Sequence, residues 1–162
     1  MTETEKGFTL MEVLIVIAIV GILAAMSLPS LTSWIQNAKY RETAREMFSL
    51  AQQARALSIS RNLEHRVRFD LDNKRYRLER GDRPANSGTW TSVVDWIAFP
   101  DFAVIKRTND CDQTSGTADF SFNPNGSSNS TYVCIMEASN PTVRRFLVGI
   151  SHWSTGRVTI TK

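Results

Sequence analysis

The sequence predicts an α+β protein: a long N-terminal α-helix, its first half projecting and its second half packed on an antiparallel β-rich head. Three observations carry this. Residues Val13 to Met26 read VLIVIAIVGILAAM, without one charged or hydrogen-bonding side chain. Apolar residues then recur at three- and four-residue steps into the fifties. After Asn62 the repeat shortens to two. A chain of 162 residues suits one ordinary domain plus an appendage. Its 42% hydrophobic and 22% charged content excludes a wholly disordered chain and a multi-pass membrane protein. A net charge of +3 permits weak attraction to anionic partners without requiring it.

The first element decides the reading. Its apolar stretch runs from Phe8 to Leu28 and only Glu12 breaks it with a charge. About 20 apolar residues span a bilayer core of about 30 Å, so this stretch is just long enough. A secretory signal peptide needs a basic start, a short apolar region and a small-residue cleavage site. Here Glu3 and Glu5 outweigh Lys6, and the apolar region is long. A plain single-span anchor explains the length but not Glu12, because a carboxylate inside a bilayer costs about 2.5–3.5 kcal/mol.

Lys6-Gly7-Phe8-Thr9-Leu10-Met11-Glu12 closely resembles the cleavage motif of type IV prepilins and type II secretion pseudopilins. The resemblance implies that a prepilin peptidase cuts between Gly7 and Phe8 on the cytoplasmic side. It further implies that Phe8 is N-methylated, that the apolar helix is retained, and that a proline, here Pro29, ends the apolar stretch. Glycine before the scissile bond lets an enzyme approach the backbone closely. Loss of residues 1–7 removes two acids and one lysine, which raises the formal charge from +3 to +4. It also frees a cationic amine at Phe8. In a filament core such an amine from a neighbouring subunit would neutralise Glu12, which is thereby expected to set the register between subunits.

The helix is expected to run from about Thr9 to Ser60, on the order of 75–80 Å at 1.5 Å per residue. Pro29 should kink or open it. Beyond Pro29 an apolar stripe passes through Leu31, Trp34, Ile35 and Ala38, then Ala44, Met47, Phe48, Ala51 and Ala54. Trp34, Met47 and Phe48 read as core packing. The expected organisation is a leader over 1–7, a membrane-spanning or filament-core half-helix over 8–29, an amphipathic half over 30–61, and a head over 62–162 that packs on 30–61.

In the head, His65, Val67 and Phe69 alternate with Arg66, Arg68 and Asp70; Asp72-Asn73 supplies a turn, and Tyr76 and Leu78 alternate with Arg75, Arg77 and Glu79. This predicts a β-hairpin. Further strands are expected over Ser92–Phe99, Ala103–Arg107, Ala118–Phe122, Thr131–Met136, Arg144–Ile150 and Arg157–Thr161. Links too short for crossover helices make most of them antiparallel. Ala54-Arg55-Ala56, Phe120-Ser-Phe122-Asn-Pro124-Asn-Gly126, Arg145-Phe-Leu-Val-Gly-Ile150-Ser and Gly156-Arg157-Val158 resemble the GspH/FimT type of minor pilin and pseudopilin. That resemblance implies a pilin-like fold and a low-abundance subunit placed at the filament tip or in an initiation complex.

Cys111 and Cys134 lie 23 residues apart with no histidine near either, which argues against a redox motif or a zinc site. In a head delivered outside the cytoplasm a structural disulfide is the plain reading, with two free thiols as its alternative. His65 and His152 have no triad or metal spacing around them, so no catalytic residue, metal or cofactor is expected. Arg61, Arg66, Arg68, Lys74, Arg75, Arg77, Arg80 and Arg83 interleave with five acids and read as a solvated hairpin face. Trp90, Trp96 and Trp153 read as core anchors.

The expected function is that of a minor structural subunit of a type IV pilus or type II secretion pseudopilus, acting in filament initiation or tip assembly. Its expected partners are other major and minor pilins or pseudopilins, the prepilin peptidase and the inner-membrane assembly platform. The precursor would sit in the bacterial inner membrane as a single-pass protein with its head in the periplasm, and then pass into the filament. One alternative is a FimT-like DNA-binding minor pilin for DNA uptake. The resemblance associates that activity with closely spaced arginines near the C-terminal Gly-Arg, where this chain has only Arg157. The other alternative is a membrane-anchored adhesin that never polymerises.

Overall fold

A computed structural model describes residues 7–162, with the side chains of residues 26–31 outside the description. The leader through Lys6 and the bend expected at Pro29 lie outside the described residues. The chain forms two compact units, one ending at Ala38 and one covering Lys39–Lys162. Helix α1 (Leu10–Arg61) contributes to both.

The described side chains of the first unit are mostly apolar and all exposed. Every large hydrophobic side chain described between Phe8 and Leu23 is exposed. Trp34, expected in the core, is exposed, as is Ile35 of the same apolar stripe. Among the described residues no helix is long and apolar enough to cross a membrane. The described side chains of the apolar run stop at Ala25, short of the Leu28 end read from the sequence.

The second unit has one core. From α1 it takes Tyr40, Ala44, Met47, Leu50, Ala51 and Ala54, at helical spacing, with Phe48 and Leu57 partly buried beside them. Three of the six are alanines with no exposed surface, so the helix meets the core partly through small side chains. All strand pairings are antiparallel. The first sheet has the order β3 (Trp90–Ser92), β2 (Arg75–Gly81), β1 (His65–Asp70), β6 (Thr117–Phe122), and β4 (Ile97–Ala98) also pairs with β2. The second has the order β5 (Ala103–Arg107), β7 (Tyr132–Glu137), β8 (Arg144–His152), β9 (Arg157–Thr161). Val67, Phe69, Tyr76, Leu78, Phe120 and Phe122 of the first sheet share the core with Val133, Ile135, Val148 and Ile150 of the second.

The β1–β2 hairpin has a fixed register. Asp70 accepts hydrogen bonds from the Asn73 amide (3.2 Å) and side chain (2.8 Å), and Lys74 takes φ +50°. Val67 then faces Leu78 and Phe69 faces Tyr76 on the core side, while Arg66 faces Glu79 and Arg68 faces Arg77 on the outer side. The strand expected over Ser92–Phe99 is interrupted. The amides of Val93 and Val94 both donate to the Leu78 carbonyl (2.8 and 3.2 Å), so two residues oppose one and the ladder breaks.

Cys111 and Cys134 form a disulfide with Cα atoms 5.7 Å apart. It ties the loop between β5 and β6 to β7, within a small cluster that includes Met136, Val104 and Leu147. Closing a loop of 23 residues should stabilise the head by about 3 kcal/mol. The double variant Cys111→Ser/Cys134→Ser is therefore expected to lose about that much unfolding free energy and to unfold at lower denaturant, with a larger m-value because its denatured chain is no longer cross-linked; a midpoint matching the oxidised parent would contradict it.

Candidate functional site

At the N-terminus, Thr9 caps α1. Its hydroxyl accepts the Glu12 amide at 3.2 Å, and its carbonyl accepts the amides of Glu12 and Val13 (3.1 and 3.3 Å). Thr-x-x-Glu is the sequence of a capping box, and the structure shows the threonine half of it. The Glu12 carboxylate has no hydrogen bond or ion pair among the described residues. Phe8 is 82% exposed, and a Cβ placed on Gly7 would meet nothing within 4 Å, so the Gly7–Phe8 bond lies open to a protein surface. One short segment thus carries an accessible bond, a capped helix start and an uncommitted carboxylate.

The head brings together segments that the sequence keeps far apart. The end of α1 meets the turn after β6 and the turn between β8 and β9. The Ser58 hydroxyl donates to Arg55 O (2.8 Å) and Asn123 O (3.3 Å). The Ser128 amide donates to Trp153 O at 2.7 Å. Gly126 and Gly156 both have positive φ, +84° and +58°. A Cβ on Gly156 would lie 2.8 Å from Gly126 O and 3.3 Å from both Arg55 Nε and Phe122 Cδ1. Arg55, Phe122, Gly126 and Gly156 therefore form one packing node.

The outer face of the first sheet is not a solvated run of cations. Glu79 is 1% exposed and holds Arg66 (2.6 Å) on one oxygen and Arg77 (2.7 Å from its Nε) on the other. The Arg66 guanidinium lies 3.8 Å from the Trp90 ring centre, and those of Arg75 and Arg77 lie 4.2 Å from that of Trp96. Arg75 also pairs with Asp70 at 3.3 Å. The face is a ladder in which cations alternate with carboxylates and indoles. Trp90 and Trp96 are anchors of this ladder rather than of the core, and Trp153 is 67% exposed. Asp119 completes the face at 3.4 Å from Arg66; burial pushes its carboxyl above the usual range, against the pull of Arg66 and Arg68.

His65 is buried, with its Nδ1 2.9 Å from Leu63 O. Burial holds its imidazole below the ordinary range; the Leu63 carbonyl opposes this, and the charges of Arg80 and Arg61 reinforce it. His152 ends β8, opposite Arg157 and next to Trp153. Among the described residues no cluster of His, Cys, Asp or Glu could hold a metal ion. The sequence missed the ladder because it depends on cross-strand register. The one signal available was the acid at Glu79, placed symmetrically about the turn from Arg66.

A family model described as a prokaryotic N-terminal methylation motif matches residues 4–28, and one described as type II transport protein GspH matches residues 43–153. A fimbrial protein of Moraxella nonliquefaciens is 46% identical over 63 residues, which cover 39% of this chain and 38% of that protein. The type IV major pilin protein PilE1 of Neisseria gonorrhoeae is 52% identical over 42 residues, 26% of each chain. The chain thus spans well under half the length of these relatives. Among solved structures, the minor pseudopilin EpsH of the type 2 secretion system of Vibrio cholerae aligns with TM-score 0.56 at 10% identity, over 75% of this chain and 94% of that one. The type IV minor pilin FimU of Pseudomonas aeruginosa aligns with TM-score 0.51 at 16% identity, over 75% and 92%. At these identities the likeness is one of fold.

Proposed function

The chain belongs to the type II transport protein GspH family, and from that premise we propose that it is a minor structural subunit of a type IV pilus or a type II secretion pseudopilus, acting in filament initiation or at the tip. The precursor is held in the inner membrane by the apolar half of α1 with its head in the periplasm. A prepilin peptidase cuts between Gly7 and Phe8, Phe8 is methylated, and the assembly platform transfers the subunit into the filament. Its partners are other pilins or pseudopilins.

The observation that carries this reading is the first unit itself. Its large hydrophobic side chains are exposed from Phe8 to Leu23, and the Glu12 carboxylate is uncommitted among the described residues. Such a surface needs a low-dielectric partner. A bilayer supplies one first, and sister helices supply an equivalent one later, so the cost of leaving the membrane is small. Glu12 is costly in both places unless a cation meets it, and the amine of Phe8 on a neighbouring subunit supplies that cation. DNA capture draws less support, because arginines of the hairpin are already engaged by Glu79, Asp70, Asp119 and the two indoles.

N-terminal sequencing and intact mass of the exported chain should give a start at methylated Phe8. Glu12→Ala should leave cleavage intact and reduce incorporation into filaments at least about tenfold, a lower bound given that breaking a buried pair costs about 3–5 kcal/mol. An exported chain that begins at Met1, or incorporation of Glu12→Ala at the parent level, overturns the reading.

A further inference from the structure

A cavity of about 320 Å³ opens where the end of α1 meets β1 and β2. Leu57, Leu63 and Val93 give it an aliphatic lining; Arg61, Arg80 and His65 give it cations and an imidazole. The placement follows from the fold. Leu57 and Arg61 are four residues apart on α1 and share a side of the helix. His65 and Arg80 are directly opposite in the β1–β2 ladder. Arg61 and Arg80 are exposed and make no ion pair among the described residues, whereas His65 is 1% exposed. The neighbouring acid, Glu64, is turned away and accepts the Ser87 amide at 2.9 Å. Val93 is 44% exposed, an uncovered aliphatic group among the lining residues.

Resting on the reading of the chain as a filament subunit, we propose that this cavity receives an aliphatic side chain with an adjacent carboxylate from the head of a different, neighbouring subunit. The aliphatic group covers Leu57, Leu63 and Val93, and the carboxylate meets the Arg61 and Arg80 guanidiniums. Charge decides between occupants. A second copy of this head is a poor donor: Ile59 and Val143 have arginines and no acid within two residues, and Val93, with Asp95 two residues on, already forms the wall of this cavity and so is not free to enter that of the next copy. Two cations beside an aliphatic lining, with no acid among the lining residues, select a partner with the reverse pattern. Once filled, the site fixes the end of α1 against that neighbour and so specifies which head follows this one.

The test uses the full-length chain expressed with its filament system. Arg61→Glu/Arg80→Glu is expected to lower incorporation about tenfold while leader cleavage and the Cys111–Cys134 bond remain at parent levels. Val93→Asp, which puts a carboxylate of this chain into the cavity while leaving both arginines in the sequence, should do the same, and so covers the case in which the double reversal misfolds. A photo-crosslinking amino acid at position 93 should capture a peptide of another subunit with Asp or Glu within two residues of Leu, Ile or Val. Changing that acid to Arg should restore the Arg61→Glu/Arg80→Glu chain to filaments. Parent-level incorporation of folded Val93→Asp overturns the proposal, as does a crosslink to lipid, to a second copy or to nothing. Loss of incorporation in Glu12→Ala alongside parent-level cavity variants removes the cavity proposal alone. A parent chain that never enters filaments removes both.

Discussion

Replacing Glu79 by alanine is expected to lower the unfolding free energy of the head by about 3–5 kcal/mol, because it leaves Arg66 and Arg77 against the sheet without their shared anion. Arg66 is 11% exposed at its side chain and Glu79 1%, so water cannot replace the lost carboxylate in place. Glu79→Gln keeps the shape and should cost nearly as much, since the charge rather than the volume neutralises the two guanidiniums. The asymmetry of buried ion pairs makes the argument sharper. Replacing Arg66, Arg77 and Glu79 together by leucine or methionine should recover most of the loss, because the one charge that then loses a partner, Asp119, keeps the pull of Arg68 and is already pushed by burial toward its neutral form. Urea unfolding of the detergent-solubilised chain, followed by tryptophan fluorescence, measures this directly, as Trp90 and Trp96 report on the ladder itself. A Glu79→Ala chain with parent stability, or a triple variant weaker than the single one, contradicts the account.

The ladder also marks where the sequence was legible and where it was not. The helix could be read to within a residue at either end, Thr9–Ser60 expected against Leu10–Arg61 observed, because apolar spacing alone specifies which face meets the sheets. Most strands followed from a period of two. What periodicity cannot show is register, and register makes the ladder: sliding β2 by one residue would turn Glu79 inward and Leu78 out. The interrupted strand after Trp90 was hidden for a related reason. Val93-Val94 has the composition of a strand, but both amides go to one carbonyl, Leu78, and the chain turns Trp96 over the arginines. Trp34 reads as core by its place in the stripe, yet is 69% exposed in the unit that ends at Ala38. The lone acid at Glu12 was legible without the fold, because it is a local feature of one short segment. The cavity beside Arg61 was out of reach, as it combines α1, β1, β2 and Val93.

The second large effect is expected at Gly156, where Gly156→Ala should cost about 3–4 kcal/mol. Two independent terms act there. The residue has φ +58°, which an alanine occupies at a cost of about 1–2 kcal/mol. The new methyl group would also stand 2.8 Å from the Gly126 carbonyl oxygen, a backbone atom that cannot rotate away, with Arg55 and Phe122 at 3.3 Å. Overpacking of that kind adds about 1–3 kcal/mol. Gly88 is the control: it lies in the loop before β3, its φ is not positive, and a Cβ there meets nothing within 4 Å, so Gly88→Ala should be neutral or slightly stabilising. The consequence reaches beyond the turn. Gly126 O, Phe122 and Arg55 belong to the turn after β6, to the first sheet and to α1, so a displaced Gly156 loosens the hold on the end of the helix. Hydrogen exchange should then show faster exchange at the amides near Arg61 in Gly156→Ala than in Gly88→Ala. Equal protection in the two variants would mean that the node only closes a turn, and that the end of α1 is held by its apolar stripe alone.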